Sequence, residues 1–225
     1  MFIQRPLTTK WNPQMSARKD LFTSLPALMA KLSETKDYVT RSRDRGSKLT
    51  VMSPHGGYIE PGTSAIAEAV AGRTFNFFDF QGLQVERPWE LHVTSTKFRH
   101  PALEQLLSQS THAISIHGMG DVDRWNIWAG GLNASMKERV VTSLREAGFS
   151  VITDTPKYRG ENPRNIVNLV PNKGVQLELP SDLIDAMFVK GVTFPGPGVT
   201  PRTTRLFKRF VKAVRIAVLA EIATR

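Results

Sequence analysis

Short apolar runs with strand character alternate with segments whose apolar residues recur at helical spacing along most of this chain. Leu49-Thr-Val-Met is followed by Ser64-Ala-Ile-Ala-Glu-Ala-Val-Ala, and Ala113-Ile-Ser-Ile by a stripe at Met136, Val140, Val141 and Leu144. Val175-Gln-Leu-Glu-Leu then places Val175, Leu177 and Leu179 on one face and Gln176 and Glu178 on the other. Such alternation predicts an α/β fold: one domain with a mixed, mostly parallel sheet and helices on both faces. In sheets of this kind ligands sit at the carboxyl ends of the strands, where the loops carry the chemistry.

A helix over 21–35 is capped by Ser24 with Pro26 in its first turn, and Tyr38-Val-Thr is a short strand leading into a charged turn at Arg41–Ser47. Phe75–Phe80, Leu91–Thr94 and Ser150–Thr153 are strands, and 156–172 is a long polar loop. A last helix, about 203–223, turns Phe207, Phe210, Val211, Val214 and Val218 to the sheet and its Lys and Arg residues to water. Pro6 and Pro13 break any period in residues 1–20, which we take as a basic irregular extension ahead of a domain over 21–225.

The formal net charge of +10 is unevenly placed. Residues 1–50 hold ten Lys/Arg against four acids and 202–225 hold seven against one, whereas 51–201 hold thirteen against fifteen. A basic surface of this sort supports one rival reading, an accessory protein that binds nucleic acid for a phage or mobile element. The near-neutral middle and the lack of a nucleic-acid motif argue against it. No window of 18 apolar residues predicts a membrane span, and Met1–Pro6 lacks the apolar core of a secretory signal. The expected location is therefore the cytoplasm. Cysteine is absent, so any bound metal must sit on His, Asp, Glu and water.

The stretch with the most chemistry is Ser53-Pro-His-Gly-Gly-Tyr-Ile-Glu-Pro-Gly-Thr63, between a strand and a helix. His55 and Glu60 are good zinc ligands, and Gly56 and Gly57 let the backbone fold so that both converge. His117, directly after the strand at 113–116, is the candidate third ligand; His92, His100 and His112 are rivals that spacing does not exclude. Two imidazoles and a carboxylate leave one position open and suit a catalytic zinc, which then needs a separate carboxylate to carry protons. Glu178 on the polar face of its strand is the candidate.

Seven blocks in this order resemble the poly-γ-glutamate hydrolase family of phages and their bacterial hosts: the Ser53–Thr63 stretch, Phe80-Gln-Gly-Leu, Leu91-His-Val-Thr-Ser-Thr, Ser115-Ile-His-Gly, Gly130-Gly-Leu-Asn, Asn165-Ile-Val-Asn and Gly174-Val-Gln-Leu-Glu. The resemblance covers roughly residues 35–220. It implies a carboxypeptidase-like fold, one zinc ion on His55, Glu60 and His117, Glu178 as base and acid, and hydrolysis of γ-glutamyl amide bonds in an anionic polymer. A phage-type enzyme of this kind would be made in the host cytoplasm and released by lysis. The chain departs from the family at Leu169, where relatives carry Arg, and after Glu178, where another arginine is missing. Arg164, Asn165, Asn168 and Lys173 are the candidate substrate-binding residues. A member of the same fold with another substrate is the remaining alternative.

Overall fold

Val51 and Met52, adjacent in sequence, end in different apolar cores, as do Phe77 and Phe78, because successive strand residues face opposite sides of a sheet that is covered on both. The computed structural model describes residues 19–120, 125–191, 196, 199 and 201–223. Its sheet has seven strands: β1 (Tyr38–Arg43), β2 (Leu49–Gly57), β3 (Asn76–Gly82), β4 (His112–Met119), β5 (Asn126–Gly130), β6 (Ser150–Ile152) and β7 (Gly174–Pro180), in the order β1-β3-β2-β4-β7-β5-β6. The β3-β2-β4-β7 centre is parallel, as is β5-β6, while β1 on β3 and β5 on β7 run antiparallel. The expected mixed, mostly parallel α/β domain is thus what forms.

One core lies between the sheet and α2 (Thr63–Ala71), α4 (Ala134–Glu146), α5 (Ser181–Ala186) and α6 (Arg205–Ala223). The other lies under α1 (Leu25–Met29), α3 (Pro101–Gln109) and the segment around Ile166 and Val167. Helix α6 packs as its pattern predicts, with Phe207, Phe210, Val214 and Val218 buried. Each such side chain contributes on the order of 2 kcal/mol by leaving water. Part of the basic charge is structural as well: Arg215 donates to the Val70 carbonyl at 2.6 Å and lies over the Phe75 ring, and Arg139 donates to buried Glu221 at 2.9 Å.

Four sequence expectations need correction. The helix expected over 21–35 is one short turn, α1, although Ser24 does cap it by accepting from Ala27 N–H. Arg41, Ser42 and Arg43 are not a turn but the outer half of β1, where Arg41 reaches Glu68 and the chain gains a ladder with β3. Leu91–Thr94 is not a strand: Pro88–Leu91 form a 3-10 turn, and the Val93 carbonyl accepts from a histidine instead of a neighbouring strand. The loop at 156–172 contains a 3-10 turn, Ile166–Asn168, with Ile166, Val167 and Val170 buried. Strand β5 was not anticipated; its short run Ile127-Trp-Ala ends at Gly130-Gly131. Residues 1–18 of the expected extension and most of the connection at 191–201 lie outside the described residues.

Candidate active site

Strand β2 aims the first residue of the site. Its register against β3 shifts between Ser53 and Gly56, so Pro54 and His55 fall in an irregularity where Pro, which has no N–H to give, is at no disadvantage. The loop then closes on itself. Glu60 N–H donates to the His55 carbonyl at 2.8 Å, and Thr63 Oγ1 donates to the Glu60 carbonyl at 2.7 Å from the start of α2. Gly57 has φ +69°, and a Cβ there would stand 2.3 Å from the Gly82 carbonyl. At Gly56 a Cβ would stand 2.1 Å from Ser64 Oγ and 2.3 Å from Asp79 Oδ1. Only glycine fits either place.

This turn brings Glu60 back over His55, and β4 supplies His117 beside them. Glu60 Oε1 lies 2.8 Å from His55 Nδ1, the two Nδ1 atoms are 3.2 Å apart, and Glu60 Oε2 is 3.5 Å from His117 Nδ1. All three residues are buried. Ligands bound to zinc at 2.0–2.2 Å stand about 3.3–3.5 Å from one another across a tetrahedron edge, so this donor set fits one such ion. His55 Nε2 stands 2.9 Å from the Val93 carbonyl, and the tautomer that donates there turns the lone pair of Nδ1 to the gap. Gly118 N–H holds the second Glu60 oxygen at 2.9 Å. His117 Nε2 is buried and finds no partner among the described residues.

Electrostatics follow the burial. Loss of water disfavours the charged form of His55, whereas at His117 the Glu178 and Glu60 carboxylates outweigh burial and favour it. The two imidazoles hold the Glu60 carboxyl well below its usual range against the opposing effect of burial. Glu178 lies opposite His117 in the β4–β7 register, so both side chains leave the sheet on the same side. Burial pushes its carboxyl up to about 8, opposed by His117 and by Gln176. Gln176 Nε2 donates to Glu178 Oε1 at 2.8 Å, and Asn165 Nδ2 donates to Gln176 Oε1 at 2.9 Å, so a chain of amides fixes the carboxyl group.

These residues open onto a cleft of about 560 Å³ whose walls include Trp89, Lys97 and Tyr158. Asn165 lines it, through its bond to Gln176. Asn168 lies behind the wall, where it donates to the Gly160 and Asn162 carbonyls. Arg164 and Lys173 are not among the lining residues; the cations that are include Lys19 and Lys97. Of the rival histidines, His100 caps α3 and His112 sits at the opposite end of β4. His92 does face the cleft: its ring lies 4.1 Å from that of His55, and its donor atom falls within 4.8 Å of those of His55 and Glu60. Sequence reasoning ranked it with the rivals, and Asp20, which binds it, left no signal in the pattern.

The chain is 29% identical over 181 residues to the SPbeta prophage-derived protein YoqZ of Bacillus subtilis and 30% identical over 159 residues to YndL of the same organism. It spans 65% of the length of the first and 62% of the second, and the matches cover 79% and 69% of this chain. Among solved structures, a bacteriophage poly-γ-glutamate hydrolase superposes with a TM-score of 0.85 at 29% identity, covering 92% of this chain and 100% of that one. A zinc-free form of YndL superposes with a TM-score of 0.81 at 26% identity, covering 90% and 99%. Residues 22–213 match the model of the poly-γ-glutamate hydrolase family, and the chain belongs to that family.

Proposed function

We propose that this chain is a zinc-dependent hydrolase that cleaves γ-glutamyl amide bonds, with poly-γ-glutamate as its substrate. The observation that carries the reading is the buried set of His55 Nδ1, Glu60 and His117 Nδ1 at metal-ligand spacing, with Glu178 on the adjacent strand at the level of His117. The family match and the zinc-free description of the YndL structure support it. His55, Glu60 and His117 would hold the ion, which would supply a Lewis acid and lower the pKa of water.

The chain's own groups do the rest. Glu178 takes a proton from the attacking water as the water oxygen bonds to the amide carbon. It then passes that proton to the amide nitrogen as the carbon–nitrogen bond breaks, giving a carboxylic acid and an amine; the acid's remaining proton moves to the amine, leaving a carboxylate and an ammonium. A carboxyl group whose proton is held up to about pH 8 by burial suits the second, acidic step, and positive charge brought into the site favours the ionised form needed for the first. Gln176 keeps Glu178 Oε1 in place through both steps. Lys19 and Lys97 are the cleft cations available to the α-carboxylates of an anionic chain, in place of Arg164 and Lys173.

The test is incubation of purified protein with poly-γ-glutamate, with and without chelator. Release of glutamate oligomers that stops on chelation and returns with zinc is the expected result. An inert polymer alongside turnover of other γ-glutamyl amides would favour the second reading, a relative with altered substrate, to which the two missing arginines point.

A further inference from the structure

Asp20 lies ahead of the segment matched by the family model, yet its side chain is only 10% exposed and sits in the wall of the cleft. One oxygen accepts from His92 Nδ1 at 2.8 Å, and the other accepts from Thr94 N–H at 2.9 Å. The carboxylate therefore spans Val93, whose carbonyl orients His55. Burial opposes ionisation of Asp20, and the hydrogen bonds from His92 and Thr94 outweigh it, holding the group well below the usual carboxylate range. Such charge-assisted bonds are about twice as strong as neutral ones. They tie together residues 72 and 74 positions apart in sequence. Lys19, Phe22 and Thr23 enter the same wall beside Asp20.

An imidazole has two nitrogens, and Asp20 uses only Nδ1. We propose that Asp20 is a positioning residue: it fixes the His92 ring with its Nδ1 proton committed and Nε2 left for the substrate, where Nε2 accepts from an amide N–H of the chain lying in the cleft. The identity of that chain rests on the function proposed above; the orientation of His92 does not. Asp20 makes no contact with the reacting atoms and acts through His92. The His92 donor atom lies within 4.8 Å of those of His55 and Glu60, so the zinc content of His92→Ala separates a substrate role from a metal-ligand role.

The test uses zinc-loaded protein and three variants, Asp20→Asn, His92→Ala and the double. Asparagine keeps an acceptor for Thr94 but offers His92 no charge. The expected Asp20→Asn protein keeps its zinc, shows altered ring-nitrogen shifts for His92 in histidine-labelled NMR spectra, and loses kcat/KM on the order of tenfold through KM, the size of one charge-assisted hydrogen bond. Added to His92→Ala, it costs nothing further, because a residue that acts only through His92 has nothing left to position. An unchanged His92 spectrum, loss of zinc in either single variant, or additive losses in the double would overturn the proposal. Wild-type protein that leaves poly-γ-glutamate intact would sink the substrate assignment alone; the His92 spectrum and the zinc content would still decide the role of Asp20.

Discussion

Replacing Asp79 by asparagine should make this protein more stable above neutral pH. Asp79 is fully buried in β3, where Ser64 Oγ donates to one carboxyl oxygen at 2.9 Å and Gln81 Nε2 to the other. The Arg41 guanidinium is 3.9 Å away, too far for a hydrogen bond. Burial outweighs these partners and pushes the carboxyl up from 3.8 to about 7. Between those values the folded chain holds a proton that the unfolded chain has released, so stability falls as pH rises through the window and levels off above about pH 7. The slope is at most about 1.4 kcal/mol per pH unit, and the shift from 3.8 to about 7 corresponds to about 4 kcal/mol in full.

Asparagine has nearly the same shape and no charge to strip of water. It keeps an acceptor for Ser64, and a turn of the Gln81 amide would let Gln81 Oε1, which has no partner among the described residues, accept from the new amide. Urea titrations of chelator-treated wild type and Asp79→Asn, followed by circular dichroism from about pH 5 to about pH 8.5, give the difference directly, since the histidines and Glu178 titrate in both proteins and cancel. The gap should be smaller near the acid end and widen, with asparagine ahead, toward the alkaline end. Parallel curves, or a variant that is weaker at the alkaline end, would show that Asp79 is ionised against Arg41 and that burial is not the dominant effect.

Other outcomes follow from the site itself. Glu178→Gln should retain zinc by metal analysis and lose turnover by on the order of 10²–10⁴, the usual range for a lost proton-transfer group. His55→Ala and His117→Ala should each purify without stoichiometric zinc, whereas His92→Ala should bind it as wild type does. Gly57→Ala places a Cβ 2.3 Å from the Gly82 carbonyl at a positive φ, and should lower the thermal midpoint and cost roughly 1–3 kcal/mol together with zinc affinity, read by calorimetry and metal titration.

Much of the frame was legible because its signals are local. The apolar runs of β2, β4 and β7 bury both faces and leave little room for another assignment, and the Gly and Pro residues around His55 mark a tight turn between strand and helix. The convergence of His55 and His117 followed from a topological rule about strand ends, not from their spacing. What stayed hidden depends on partners distant in sequence. The outer half of β1 reads as a charged turn until Arg41 meets Glu68 across the sheet edge. The segment at Leu91–Thr94 has strand composition, but its carbonyl is diverted to His55. Arg164 and Lys173 are as basic as Lys19 and Lys97, and only the folded chain shows which pair borders the cleft. The bond from Asp20 to His92 spans 72 residues and has no periodicity to betray it.

Glu178 stands level with His117 because β4 and β7 pair in one register. Slipping β7 by a single residue would carry the carboxyl to the opposite side of the sheet, among the side chains packed under α4 and α6, and would present Leu177 or Leu179 in its place. Single-residue insertions ahead of Glu178 within β7 should therefore abolish activity outright. Changes of length are tolerable in exposed connections, such as 85–87, where no rung of the ladder has to be counted. A circularly permuted version of this chain would stay competent only if its new termini left that alignment intact.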